Sequence, residues 1–129
     1  MFPNGVKVYK WPYEKEPTEN LVQEEMEKYG YKAYDLQTIP PWCKRSSHSH
    51  DYDEIRAAVK GCTTFHFEEY PVTIEPGDIL IIPAGTKHSL ASHNGNPFTA
   101  FKGNTAGKRI VTEYGDAKGS VEDLESLKS

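Results

Sequence analysis

The chain has little of what marks several specialised classes of protein. It holds two cysteines in 129 residues, Cys43 and Cys62, too few for a disulfide framework and outside any Cys-x-x-Cys spacing. Both are therefore read as free thiols in a reducing compartment. No apolar run approaches the roughly 18 residues that a membrane-spanning helix needs. The first residues show no charged region followed by an apolar one, so no secretory leader is read there and a cytoplasmic location is the default expectation. Basic clusters are missing too. Lys44-Arg45 and Lys108-Arg109 are the densest pairs, and at a net charge of −4 they make no footprint for nucleic acid or an anionic membrane surface. Neither a phosphate-cradling loop nor a dinucleotide-type glycine pattern occurs, and no internal repeat is visible.

What remains is a chain of ordinary composition, 36% hydrophobic and 26% charged, punctuated along its length by ten glycines and nine prolines. The length suits one domain spanning 1–129, with a strand and helix in 1–30, a sheet-rich body in 31–115 and a polar tail in 116–129. Residues 1–12 read as an edge strand carrying Val6, Val8 and Trp11. Thr18 caps one helix, Glu19 suits its positive end, Leu21, Val22, Met26 and Tyr29 form its apolar stripe, and Gly30 closes it. Beyond Gly30 the period becomes two. Tyr31, Ala33 and Asp35 alternate with Lys32, Tyr34 and Leu36, and short runs follow at 55–59, 62–67, 72–74, 79–82, 88–92, 98–102 and 109–114. Turn signals separate most of them: Gly61, Pro76-Gly77-Asp78, Pro83-Ala84-Gly85 and Asn94-Gly95-Asn96-Pro97. Pro76-Gly77 is read as a type II turn. Many short strands with regular turns define an all-β antiparallel sandwich or barrel with one short N-terminal helix.

The chemistry lies in the histidines. His48 and His50 are two apart, and Glu54 follows at an even separation from both, so all three share one face if a single strand continues through them. His88 comes much later, just after the Pro83-Ala84-Gly85 turn. Three imidazoles and a carboxylate suit one divalent transition metal, Fe, Mn, Ni or Zn, with Cu also compatible. Arg56, two residues beyond Glu54, points the same way, into the interior. A buried Arg is rare unless it meets a carboxylate or an anionic ligand. Asp35, Asp51 and Glu68 are the internal partners considered for it.

Two segments carry a family resemblance. HSHDYDEIRAAVKG, His48 to Gly61, resembles the first cupin motif, and GDILIIPAGTKH, Gly77 to His88, resembles the second. Trp42 stands where the first motif usually opens with Gly, and Ser92 where the second usually ends with Asn; neither position is a metal ligand in the family. The resemblance implies a cupin jelly-roll β-barrel with His48, His50, Glu54 and His88 as the metal ligands. Within it, DEIR, Asp53 to Arg56, is similar to the equivalent stretch of acireductone dioxygenases, where the Arg beside the metal helps to hold an enediolate-type substrate. Glu54 and Arg56 are then the catalytic candidates, with Glu54 either a ligand or, once displaced, a base.

The functional reading is a metal-dependent enzyme acting on a small oxygen-rich anionic molecule, leaning to dioxygenase chemistry. A metal-dependent isomerase or lyase of a sugar-like substrate and a non-catalytic metal or small-molecule binding cupin are the alternatives, and a purely structural barrel is the third class. The expected partners are a small-molecule substrate and a second copy of the chain, since the N-terminal strand and exposed edges favour a homodimer. Phe65, Phe67, Ile79, Ile81, Phe98 and Phe101 are read as barrel lining or sheet-packing core, Tyr31, Tyr34 and Trp42 as cover for the mouth, and His66 and His93 as surface residues.

Overall fold

The computed structural model describes residues 5–41, 44–92 and 96–109, without the side chains of Arg45 and Ser92. The order is β1 (Lys7–Tyr9), α1 (Glu19–Glu27), β2 (Lys32–Ile39), β3 (Lys44–His48), β4 (Glu54–Lys60), β5 (Thr63–Phe67), β6 (Pro71–Ile74), β7 (Ile79–Ile82), β8 (His88–Ser92) and β9 (Phe98–Asn104). Every pairing is antiparallel. The strands form a five-stranded sheet, β1-β7-β4-β9-β2, and a four-stranded sheet, β3-β8-β5-β6. Consecutive strands alternate between the sheets at several points, as in a jelly roll, and the two faces share one core rather than closing into a continuous hydrogen-bonded ring among the described residues.

Alternation along each strand sorts side chains between two cores. Ala58 of β4, Leu80 and Ile82 of β7, and Phe98 and Ala100 of β9 face Phe65, Val72, Ile74 and Leu90 of the smaller sheet. The opposite face of the large sheet carries Ile55, Ala57, Val59, Ile79, Ile81 and Phe101, and these pack under Val22 and Met26 of α1. Both faces of β4 and β7 are thus buried; β7 is apolar throughout, whereas β4 carries Glu54 and Arg56 into the interior. Of the six residues read as lining or core, Phe65, Phe67 and Phe98 face between the sheets, whereas Ile79, Ile81 and Phe101 lie beneath the helix.

The helix starts where the sequence indicates. Thr18 is extended and its hydroxyl accepts from Leu21 N at 3.4 Å; Gly30, at φ +88°, follows the last turn. Val22 and Met26 are fully buried, contributing about 1.5–3 kcal/mol each by area removed from water. The helix can come this close because β9 carries Gly103 below it: a Cβ there would lie 2.5 Å from Lys32 O and 2.8 Å from Met26 Cε. The turn before β7 is equally specific. Asp78 N donates to Glu75 O at 2.9 Å across Pro76-Gly77, with Gly77 at φ +92°, as a type II turn requires. Lys10 from the N-terminal segment then binds the buried Asp78 carboxylate at 2.6 Å.

Cys62 is a free thiol; Cys43, Trp42, His93, all of the expected strand at 109–114 except Arg109, and the polar tail lie outside the described residues. No described helix is long and apolar enough to cross a membrane.

Candidate metal centre

The expectation that one strand carries His48, His50 and Glu54 is corrected by the structure. β3 ends at His48, His50 lies in the crossing between the sheets, and Glu54 opens β4 in the opposite sheet. The three imidazoles converge all the same. His48 and His88 are direct cross-strand partners on β3 and β8, with ring centroids 4.5 Å apart. His50 approaches from the loop, 4.9 Å from the His48 ring and 5.6 Å from that of His88. The Pro83-Ala84-Gly85 turn fixes this loop: Gly85 N donates to His50 O at 2.7 Å, and Ala84 N to Asp53 Oδ1 at 2.8 Å. One turn therefore sets both His50 and the entry of His88.

A ligand atom from each of the three histidines lies within 4.8 Å of the other two, the arrangement needed to surround one metal ion. The ring orientations sharpen this. His48 Nδ1 contacts Ser46 O at 2.8 Å and His88 Nδ1 contacts Thr86 O at 2.9 Å. A carbonyl can only accept, so each Nδ1 donates there, which leaves Nε2 as the nitrogen through which the neutral ring can bind a metal. His88 Nε2 is buried and makes no hydrogen bond, and neither does the facing Glu54 Oε1. Their separation of 3.6 Å, like the 3.5 Å from Glu54 Oε1 to His50 Nε2, is too long for a hydrogen bond. Buried nitrogen and oxygen lone pairs turned towards a common point suit a divalent cation.

Glu54 is fully buried, and Arg56 Nε donates to its other oxygen, Oε2, at 2.9 Å. Burial by itself would raise the carboxyl pKa. The Arg56 guanidinium, then His88, Lys102 and His50, outweigh it and hold Glu54 well below the usual carboxylate range. Arg56 lies over the Phe65 ring, its guanidinium carbon 5.4 Å from the centroid. Its interior position fits the sequence reading, but its partner is Glu54 of its own strand rather than Asp35, Asp51 or Glu68. Lys102, cross-strand to Arg56 on β9, is also buried.

Aromatic groups complete the walls. Phe67 sits cross-strand to His88 with its ring 6.1 Å away, and Tyr52 stacks on His50 at 5.0 Å. Tyr34 lies close enough to Glu54 to feel its charge. Burial pushes the Tyr34 phenol pKa up, Glu54 and Tyr52 add to this, and Arg56 opposes it. Tyr34 thus borders the site as expected, whereas Tyr31 packs with the cluster under the helix. His66 is exposed, as its strand parity indicates. The sequence reading did not single out Lys102, Gln37 or Tyr52. Lys102 was accessible by parity, since it shares the parity of Phe98 and Ala100; Tyr52 lies in a loop, where no period applies.

Comparison with known proteins gives the family. Residues 35–101 match the family described as "Cupin domain", and the chain belongs to that family. It is 36% identical over 63 residues to acireductone dioxygenase 1 of Coprinopsis cinerea, covering 44% of this chain and 35% of that protein. The acireductone dioxygenase of Parvibaculum lavamentivorans is 32% identical over 76 residues, covering 49% of this chain and 41% of that protein. The chain therefore spans well under half the length of these curated relatives. The solved structure of a cupin superfamily protein from Desulfitobacterium hafniense superposes with a TM-score of 0.51, over 81% of this chain and 80% of that one, at 14% identity.

Proposed function

We propose that this chain is a metal-dependent enzyme acting on a small, oxygen-rich anionic molecule, with dioxygenase chemistry the best-supported reaction. The observation that carries the reading is the three-histidine cluster, with two rings held by backbone carbonyls so that their Nε2 atoms face inward. His48, His50 and His88 would hold the ion, with Glu54 as the fourth ligand. A bound divalent ion would supply Lewis acidity and, for a redox metal such as Fe, electrons for chemistry with O₂.

The chain's own groups decide what can enter. Arg56 and Lys102 place two positive charges beside the single negative charge of Glu54, so this set of side chains favours an anion even before the ion's charge is added. Arg56 Nη1 is buried without a hydrogen-bond partner and is free to take a substrate oxygen. Glu54, held ionised by Arg56, is suited to ligate a cation and poorly suited to act as a base, which needs a pKa near the working pH. Phe67 and Phe65 supply an apolar wall that limits water beside the ligands.

The similarity to acireductone dioxygenases supports the oxygen-dependent reading. Oxygen uptake by Fe(II)-loaded protein offered small 1,2-diketones and enediols tests it. The expected result is uptake that requires both metal and substrate and disappears in Arg56→Met. No uptake with any of them, alongside anaerobic turnover of a sugar acid, would replace the reading with a metal-dependent isomerase or lyase.

A further inference from the structure

Gln37 is a buried polar side chain that the chemistry above does not use. It lies on β2 with the parity of Ile39, a member of the core between the sheets, so its amide points into that space. The residue is 4% exposed, yet neither Oε1 nor Nε2 has a hydrogen-bond partner. A buried amide unanswered at both ends is rare and destabilising, and such a group is retained where something outside the protein answers it.

Its neighbours on the sheet are small. The register pairs Ala100 with both Gln37 and Ala58, so the same rung of the sheet carries two alanines, the shortest described side chains on the interior face. The next rung pairs Lys102 with Arg56, which makes Lys102 the diagonal neighbour of Gln37. Glu54, Arg56, Lys102 and Gln37 thus form a polar row crossing from the metal ligands towards the β2 edge, and the buried Arg56 Nη1 on that row also lacks a partner.

We infer that Gln37 determines specificity: its amide holds a hydroxyl at the end of the substrate remote from the metal ligands. A hydroxyl answers both ends of the amide, accepting from Nε2 and donating to Oε1. Resting on the function proposed above, this assigns the substrate class as short hydroxylated organic acids, with the acid end drawn to the cation and Arg56. An aliphatic tail in the same place would leave the amide unanswered, and sites built in this way discriminate strongly.

The test uses Ni(II)-loaded protein and calorimetry with a series of short 2-oxo acids of increasing chain length, each with and without a terminal hydroxyl. At one chain length the hydroxylated acid should bind at least about tenfold more tightly, and Gln37→Leu and the volume-matched Gln37→Met should both abolish that preference. Independently of metal, both variants should raise the melting temperature by about 3 °C or more, because they remove an unanswered buried amide. Equal binding of the paired acids at every length overturns the inference, as does a lower melting temperature in both variants, which would show that the amide is structural. Failure of Ni(II) itself to bind would instead strike the metal reading, leaving the melting data to decide on Gln37.

Discussion

Arg56→Met isolates the electrostatics on which the site depends. The Arg56–Glu54 contact is 2.9 Å between side chains 5% and 0% exposed, so solvent screens it little. Methionine keeps an apolar stem beside Phe65 and removes the charge, leaving the Glu54 carboxylate buried with less compensation. Breaking a buried pair from one side costs about 3–5 kcal/mol, and since Lys102 and the imidazoles remain, a value near 3 kcal/mol is expected at neutral pH. The pH dependence carries a definite sign. In the native chain Glu54 titrates well below its ordinary value of 4.5, so its contribution to stability is complete above that pH and is lost as the pH falls through the depressed folded value. In the variant the depression shrinks or reverses, so acid costs it less, and the stability gap to the native chain narrows as the pH falls below about 4.5. Urea unfolding of metal-free protein between about pH 2.5 and pH 7 measures this. In a Glu54→Gln background the same substitution should cost little, giving a coupling energy of at least about 2 kcal/mol. Parallel stability curves and an equal cost in both backgrounds would refute the burial and pairing of these residues.

Two further substitutions separate site from scaffold. His88→Ala should lower affinity for Ni(II) or Zn(II) at least about a hundredfold by calorimetry, with the far-ultraviolet circular dichroism unchanged. Gly103→Ala should destabilise the metal-free protein by about 1–3 kcal/mol in urea, since its methyl group would press on Lys32 O and Met26. A neutral result would show that α1 does not sit against β9 as described.

Much of the fold was legible because the local signals agree. The Thr18 cap, the Gly30 stop, the Pro76-Gly77 turn and the runs that became β4 to β9 all sit where pattern and turn chemistry place them. β3 was harder to read, since Lys44–His48 carries no apolar residue and holds its place by pairing with β8. Ile79, Ile81 and Phe101 are core as read, but which of the two cores they join was not legible; in β7, buried on both sides, no polar residue marks a face. At the site, residue types and spacing singled out the three histidines that the structure brings together, but the parity linking His48 to Glu54 rested on a strand that is broken at the sheet crossing. Their convergence depends instead on the β3–β8 pairing and on the Gly85–His50 contact, neither of which is local in sequence. The Arg56 partner was overlooked although the same parity that turned Arg56 inward also made Glu54 its neighbour.

X-ray absorption at the nickel edge, on protein loaded with one equivalent of Ni(II), reads the coordination itself. The three-histidine cluster, with Glu54 Oε1 3.5 Å from His50 Nε2 and 3.6 Å from His88 Nε2, predicts one tightly held ion per chain, with scattering from three imidazoles and a carboxylate oxygen, and loss of one imidazole in each single His→Ala variant. An ion that binds weakly, or a spectrum without imidazole scattering that the three substitutions leave unchanged, would contradict it.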